Sequence, residues 1–180
     1  RADRPFAYGT LPLSLTRVAV HSAAQPGHDQ TVRTGRAIST AADLCTLLVL
    51  GWLARRLYGT PAALLAMAFY ACAVLPIQHS RFFVVDPLLT LWATVSVAGL
   101  TAWHQRPRWP VAAAAGAATA LAIACKLSGG VLVVPAGVAW ATRLVTRRGL
   151  PSSWRAWRRA AGHAAAYAVA GLVTRRLAAP

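Results

Sequence analysis

The sequence predicts an all-α fold: a polytopic transmembrane helical bundle of about five to six membrane helices, with an extracytoplasmic N-terminal loop segment. Three observations predict it. Leu57 to Ser80 is 24 residues without a formal charge and Pro87 to Gln105 is 19. Each can cross a bilayer as a helix, because about 20 residues at a rise of roughly 1.5 Å span a ~30 Å hydrocarbon core. Hydrophobic residues make up 57% of the 180 and charged residues 13%, with no glutamate at all, a balance that belongs to membrane proteins rather than soluble domains. Finally, the cations punctuate the apolar runs in pairs and small clusters instead of recurring within them.

The chain reads as a single membrane domain, 1–180, with a loop at 1–33 and membrane helices over 34–174. In the loop, Pro5, Pro12, Pro26 and Gly27 break any long helix. Leu11 to Val20 is expected to form a short interfacial helix with Leu11, Leu15 and Val18 on one face. The first crossing is expected from about Gly35 to Ala54, closed by Arg55-Arg56. On it Arg36 and Asp43 are seven residues apart, roughly one face. A carboxylate two turns inside a membrane is expensive, so Asp43 should point into the bundle and have a partner, structural or catalytic.

Leu57 to Pro61 is a compact turn, and the second crossing runs on to His79. His79 to Pro87 is then a tight polar turn that holds Arg81 and Asp86 at a membrane face, as a helix-capping ion pair or as part of a site. The third crossing runs from Pro87 to Trp103, followed by a belt, Trp103 to Pro110, with tryptophans at headgroup level and arginines in water. Val111 to Cys125 and Leu127 to Thr142 form a helical hairpin or a broken re-entrant pair, meeting at Lys126-Leu127-Ser128-Gly129-Gly130. Arg143 to Arg159 reads as a basic interfacial loop containing Trp154 and Trp157, and Ala160 to Thr174 as a last, short apolar run.

A net charge of +15 raises nucleic acid as a partner. The arginines are scattered between apolar runs without a nucleic-acid-binding signature, so the sequence predicts none. Cys45, Cys72 and Cys125 lie within apolar runs, without metal-site or disulfide spacing, and read as small core residues. No cluster with metal-ligand spacing is present, and no cofactor is expected. If the loops alternate sides, ten arginines from Arg55 to Arg159 share one face, which the positive-inside rule makes cytoplasmic. Arg36, His79, Arg81, Asp86 and Lys126 then reach the other face. Lys126 is the only lysine among 19 basic residues. It is either a snorkelling helix-end cation or a compact point charge kept for a phosphate.

Tyr8-Gly9-Thr10-Leu11-Pro12-Leu13, then Gly35-Arg36-Ala37-Ile38-Ser39 leading to Arg55-Arg56-Leu57-Tyr58-Gly59, then Ile77-Gln78-His79-Ser80-Arg81-Phe82 with Asp86, then Cys125-Lys126-Leu127-Ser128-Gly129 follow in this order. The arrangement resembles the polyprenyl-phosphate-dependent glycosyltransferases of GT-C architecture, above all bacterial relatives of the protein O-mannosyltransferases and the aminoarabinose transferases. The resemblance covers Tyr8 to about Thr146, and Val173-Thr174-Arg175-Arg176-Leu177 departs from the family's pattern. It implies an integral enzyme of the bacterial plasma membrane. Such an enzyme moves a sugar from a polyprenyl-phosphate carrier to a hydroxyl of an acceptor protein, lipid or glycan at the extracytoplasmic face, with inversion.

In such enzymes a carboxylate is general base on the acceptor, and cations stabilise the departing phosphate. The principal acidic residue lies in a first outer loop upstream of the Tyr8 motif. Asp86 matches the second acidic position and is expected to orient substrate or a basic partner. Lys126 and Arg36 are the candidates for carrier-phosphate contacts, with Arg81 and Tyr8 as further substrate-binding candidates. The chain begins at Arg1 without a methionine, a signal peptide or a first span, so it is expected to be an N-terminally truncated fragment, inactive alone. The competing class is a non-enzymatic membrane protein, such as part of a transporter or an assembly subunit. The Gly129-Gly130 break suits that class, but the lack of an internal repeat does not.

Overall fold

A computed structural model describes residues 11–21, 28–80, 82, 84–146 and 154–178. They form eight α-helices and one 3₁₀ turn, without a strand among them: α1 Leu11–His21, α2 His28–Tyr58, α3 Thr60–Cys72, α4 Val74–Ser80, α5 Asp86–Gln105, α6 Trp109–Cys125, the 3₁₀ turn Leu127–Leu132, α7 Val133–Thr146 and α8 Trp154–Ala178. The all-α expectation therefore holds. Among the described residues one helix, Asp29–Tyr58, is long and apolar enough to cross a membrane by itself, and Leu11–Val20, Thr60–Cys72 and Trp109–Cys125 are shorter apolar helices.

α6 is the hub. Alanine is the best helix former, and an alanine-rich helix that is apolar all round can be surrounded on every side. α5, α8, α1 and the 3₁₀ turn all pack on α6, where Ala112, Ala115, Ala118, Ala122 and Cys125 are buried. α5 runs antiparallel to α6, with Gly99 against Ala115 and Ser96 hydrogen-bonded to Thr119 at 2.7 Å. α8 runs parallel to α6 and touches it so closely that a Cβ at Gly116 would collide with the Tyr167 carbonyl oxygen. The Tyr167 hydroxyl joins the same polar knot, 2.7 Å from Thr119 Oγ1.

α2 lies on α5 and runs parallel to it. Ile38 and Ala42 pack near Leu88, while Arg56 Nε donates to Gln105 Oε1 at 2.6 Å at the other end. Gly59 makes the reversal into α3 with φ 91°, a region that disfavours a side chain. The expected partner of Asp43 is found there: Tyr70 on α3 donates its hydroxyl to Asp43 Oδ1 at 2.6 Å.

Large apolar side chains face outward, among them Leu44, Leu48, Leu64, Leu65, Phe69 and Leu172, whereas most of the buried positions are held by alanine, serine and threonine, with Leu11, Leu88, Leu100 and Trp103 among the large exceptions. Small residues at helix contacts and hydroxyls bonded across helices are the pattern of bundles that pack in lipid.

Several expectations are corrected. The run from Leu57 to Ser80 is not one helix but α3 and α4, with Ala73 extended between them. The cause is Pro76, whose missing N–H and ring forbid a helical turn onto the carbonyl of Cys72, four residues back. α2 begins at His28, inside the span read as loop. An exposed Asp29–Arg33 pair at 3.1 Å joins its first turns in solvent, and charge at a solvated helix end does not stop the helix.

α1 forms where expected but buries Leu11, Pro12, Thr16 and Val20, leaving Leu15 and Val18 exposed. Thr16 tolerates burial because its hydroxyl bonds the Pro12 carbonyl at 2.9 Å. Trp154 to Arg159 belong to α8 rather than to a loop, since tryptophan, arginine and alanine continue a helix without difficulty. Trp103 is not in a headgroup belt but 1% exposed, packed against Trp140 at a centroid distance of 4.1 Å, because α7 and α8 cover that face of α5. Cys125 is a core residue as read, but Cys45 and Cys72 are exposed on the outer faces of α2 and α3.

Candidate functional site at one end of the bundle

Asp86 and Lys126, 40 residues apart, meet: Lys126 Nζ lies 3.3 Å from Asp86 Oδ1. Two helix ends bring them together. Asp86 is the first residue of α5, with Pro87 at the start of the helix. Proline there costs no hydrogen bond, and its fixed φ suits the first turn. A carboxylate in a first turn also faces the positive end of the helix dipole.

Lys126 caps the C-terminus of α6, the end that favours a cation. Its backbone is extended, with φ −158° and ψ 136°, which turns the chain off the helix axis and into the 3₁₀ turn. The turn closes when the Gly129 N–H donates to the Lys126 carbonyl at 2.8 Å. Gly129 rests on α6 where a Cβ would stand 2.7 Å from the Ala122 carbonyl oxygen, so no larger residue fits without movement.

Beneath the pair lies an apolar cluster in which Leu11, Ala42, Leu88, Ala124 and Cys125 are buried. It ties α1, α2, α5 and α6 together at this end. Arg36 sits on α2 half a turn from Ile38, which packs on that cluster, and its side chain is exposed. The side chains of Asp86 and Lys126 are 38% and 34% exposed. An ion pair so open to water adds little stability. Its consequence is positional: two opposite charges are held side by side at an accessible surface.

The remaining predicted residues fall differently. Tyr8 and Arg81 lie outside the described residues. His79 is in α4, which packs against both α2 and α5. Among the described residues no three His, Cys, Asp or Glu side chains converge as a metal would need.

The cations of the opposite end form their own layer. Arg56 is stacked over Trp52 at 5.2 Å. Arg143 of α7 donates to the His104 carbonyl and lies 5.1 Å above the Trp103 ring. It thereby caps the C-terminus of α5. α5 is 20 residues long, so this layer is about 30 Å from Asp86. Sequence reasoning missed Tyr70, Tyr167 and Arg143 as polar partners, because each acts across helices on a residue 27 to 48 positions away.

No curated protein and no solved structure matches the chain. The family model for dolichyl-phosphate-mannose-protein mannosyltransferase matches residues 21–174. The match starts beyond the Tyr8 motif, includes Asp86 and Lys126, and extends through most of α8, further than the Thr146 limit of the resemblance. The chain therefore belongs to the dolichyl-phosphate-mannose-protein mannosyltransferase family and, with it, to the membrane glycosyltransferases that draw on polyprenyl-phosphate sugars.

Proposed function

We propose that the chain is a multi-pass part of a bacterial plasma-membrane mannosyltransferase. It transfers a sugar, with inversion, from a polyprenyl-phosphate carrier to a hydroxyl of an acceptor in the cell envelope. The reaction takes place at the end of the bundle that carries Asp86 and Lys126. The observation that carries this reading is their contact at 3.3 Å. Lys126 binds the carrier phosphate and stabilises the charge that grows on it as the glycosidic bond breaks. Asp86 aims the ammonium, which leaves deprotonation of the acceptor to another carboxylate. Arg36, on the same end of α2, contributes a second cation to the phosphate.

The extracytoplasmic placement is supported by the gathering of Arg55, Arg56, Arg106, Arg108 and Arg143 at the opposite end, which the positive-inside rule assigns to the cytoplasm. Membrane crossing by several helices is supported by the outward apolar side chains and the small, polar interior. The experiment is donor binding and transfer by Lys126→Ala in the full-length enzyme. Loss of a charge-assisted contact to the leaving group is expected to raise the barrier by about 2–4 kcal/mol, roughly 30- to 1,000-fold in rate. Binding of polyprenyl-phosphate mannose should weaken in parallel. Wild-type turnover and binding would return Lys126 to a snorkelling cation with no part in the reaction.

A further inference from the structure

A groove of about 540 Å³ runs along the outside of the bundle between α2, α5 and α6, on the half nearer the arginine layer. Its floor is made by small residues of α5 and α6, Ala98, Gly99 and Ala115, and its walls by Leu48 and Trp52 of α2 and Ala114 of α6. Leu48, Trp52 and Ala114 are exposed while Ala98 and Ala115 are buried, so α5 is recessed and the groove opens sideways. On α5 the lining extends from Val95 to Ala102, about 10 Å along the axis.

At its end the groove meets cations. Arg56 is stacked on Trp52, a wall residue, at 5.2 Å, and its Nε is bonded to Gln105 at 2.6 Å. The guanidinium is thus fixed across the α2–α5 contact while the side chain remains exposed. Arg106 and Arg108, both exposed, flank the same end between α5 and α6. A planar fork held in place is suited to a phosphate oxygen pair.

We propose that this groove and its arginines bind an anionic diacyl phospholipid, with one acyl chain between α2 and α6 and the phosphate on Arg56 and Arg108. The occupant follows from the pairing of the two halves. A narrow trough without polar lining takes a hydrocarbon chain, and clustered arginines at the adjoining headgroup level select a negative headgroup over a zwitterionic one. The site lies at the end opposite Asp86 and Lys126, separate from the sugar-carrier phosphate, and does not depend on the reaction assigned to that end.

Native mass spectrometry of the chain, purified in neutral detergent, tests it with phosphatidylglycerol and phosphatidylcholine of identical acyl chains. One phosphatidylglycerol is expected to be retained, preferred by about tenfold. Ala114→Trp, which fills the trough from an exposed position, should abolish retention. The double variant Arg56→Gln, Arg108→Gln should keep lipid binding but lose the headgroup preference. Equal retention of both lipids by the wild type would overturn the proposal, as would an undiminished preference in Ala114→Trp. Displacement of phosphatidylglycerol by stoichiometric polyprenyl phosphate would assign the groove to the carrier's tail and overturn it equally.

Discussion

Lys126 and Asp86 owe their meeting to the ends of two antiparallel helices, and their chemistry can be separated by substitution. Lys126→Arg keeps the charge but spreads it over a planar fork, so transfer should fall less than in Lys126→Ala. Asp86→Asn removes the charge that aims the ammonium, and donor binding should weaken by less than it does in Lys126→Ala. Titration of the purified variants with donor checks that order. Both residues were legible in the sequence because a lone lysine and a rare aspartate stood at the ends of apolar runs. Tyr70 was not legible, since nothing near it in the chain points to Asp43. Tyr70→Phe strands a half-buried carboxylate, at an expected cost of about 1–3 kcal/mol, measurable as a fall in the unfolding midpoint in detergent. Asp43→Asn should cost less, because the tyrosine keeps an acceptor.

Among the helices, the contact of α6 with α8 makes the sharpest demand. Gly116 faces the Tyr167 backbone, and backbone cannot swing aside as a side chain can. Gly116→Val should therefore destabilise by about 3 kcal/mol, near the upper range for overpacking. Tyr167→Phe should cost only about 0.6 kcal/mol, typical of one interhelical bond in a membrane bundle, because Thr119 retains Ser96 and the Ala115 carbonyl. Thermal unfolding of the two variants side by side checks the contrast. Length and hydropathy located α2, α5 and α6 in the sequence, but not what proline or a neighbouring helix does to an apolar run. Pro76 divides what reads as one crossing, and α7 with α8 buries a tryptophan that composition assigns to an interface.

Among the described residues most charges gather at two ends of the bundle, with Asp43 held between the ends by Tyr70. Asp86 and Lys126 stand at one, and Arg56 and Arg143 close the other through Gln105 and His104. The two-ended arrangement was readable because the cations lie between the apolar runs. The face buried by α1 was not, since it depends on where α2 and α6 lie. The central claim is that the carrier phosphate is held at the Lys126 end. Photo-crosslinking with radiolabelled polyprenyl phosphate tests it most directly, with a photoreactive phenylalanine derivative replacing Ser128 in one variant and Trp109 in another. Both positions are exposed, at opposite ends of α6. The account predicts labelling from position 128 that disappears when Lys126→Ala is added, and background labelling from position 109. Stronger labelling from 109, or labelling from 128 that is indifferent to Lys126, would contradict it.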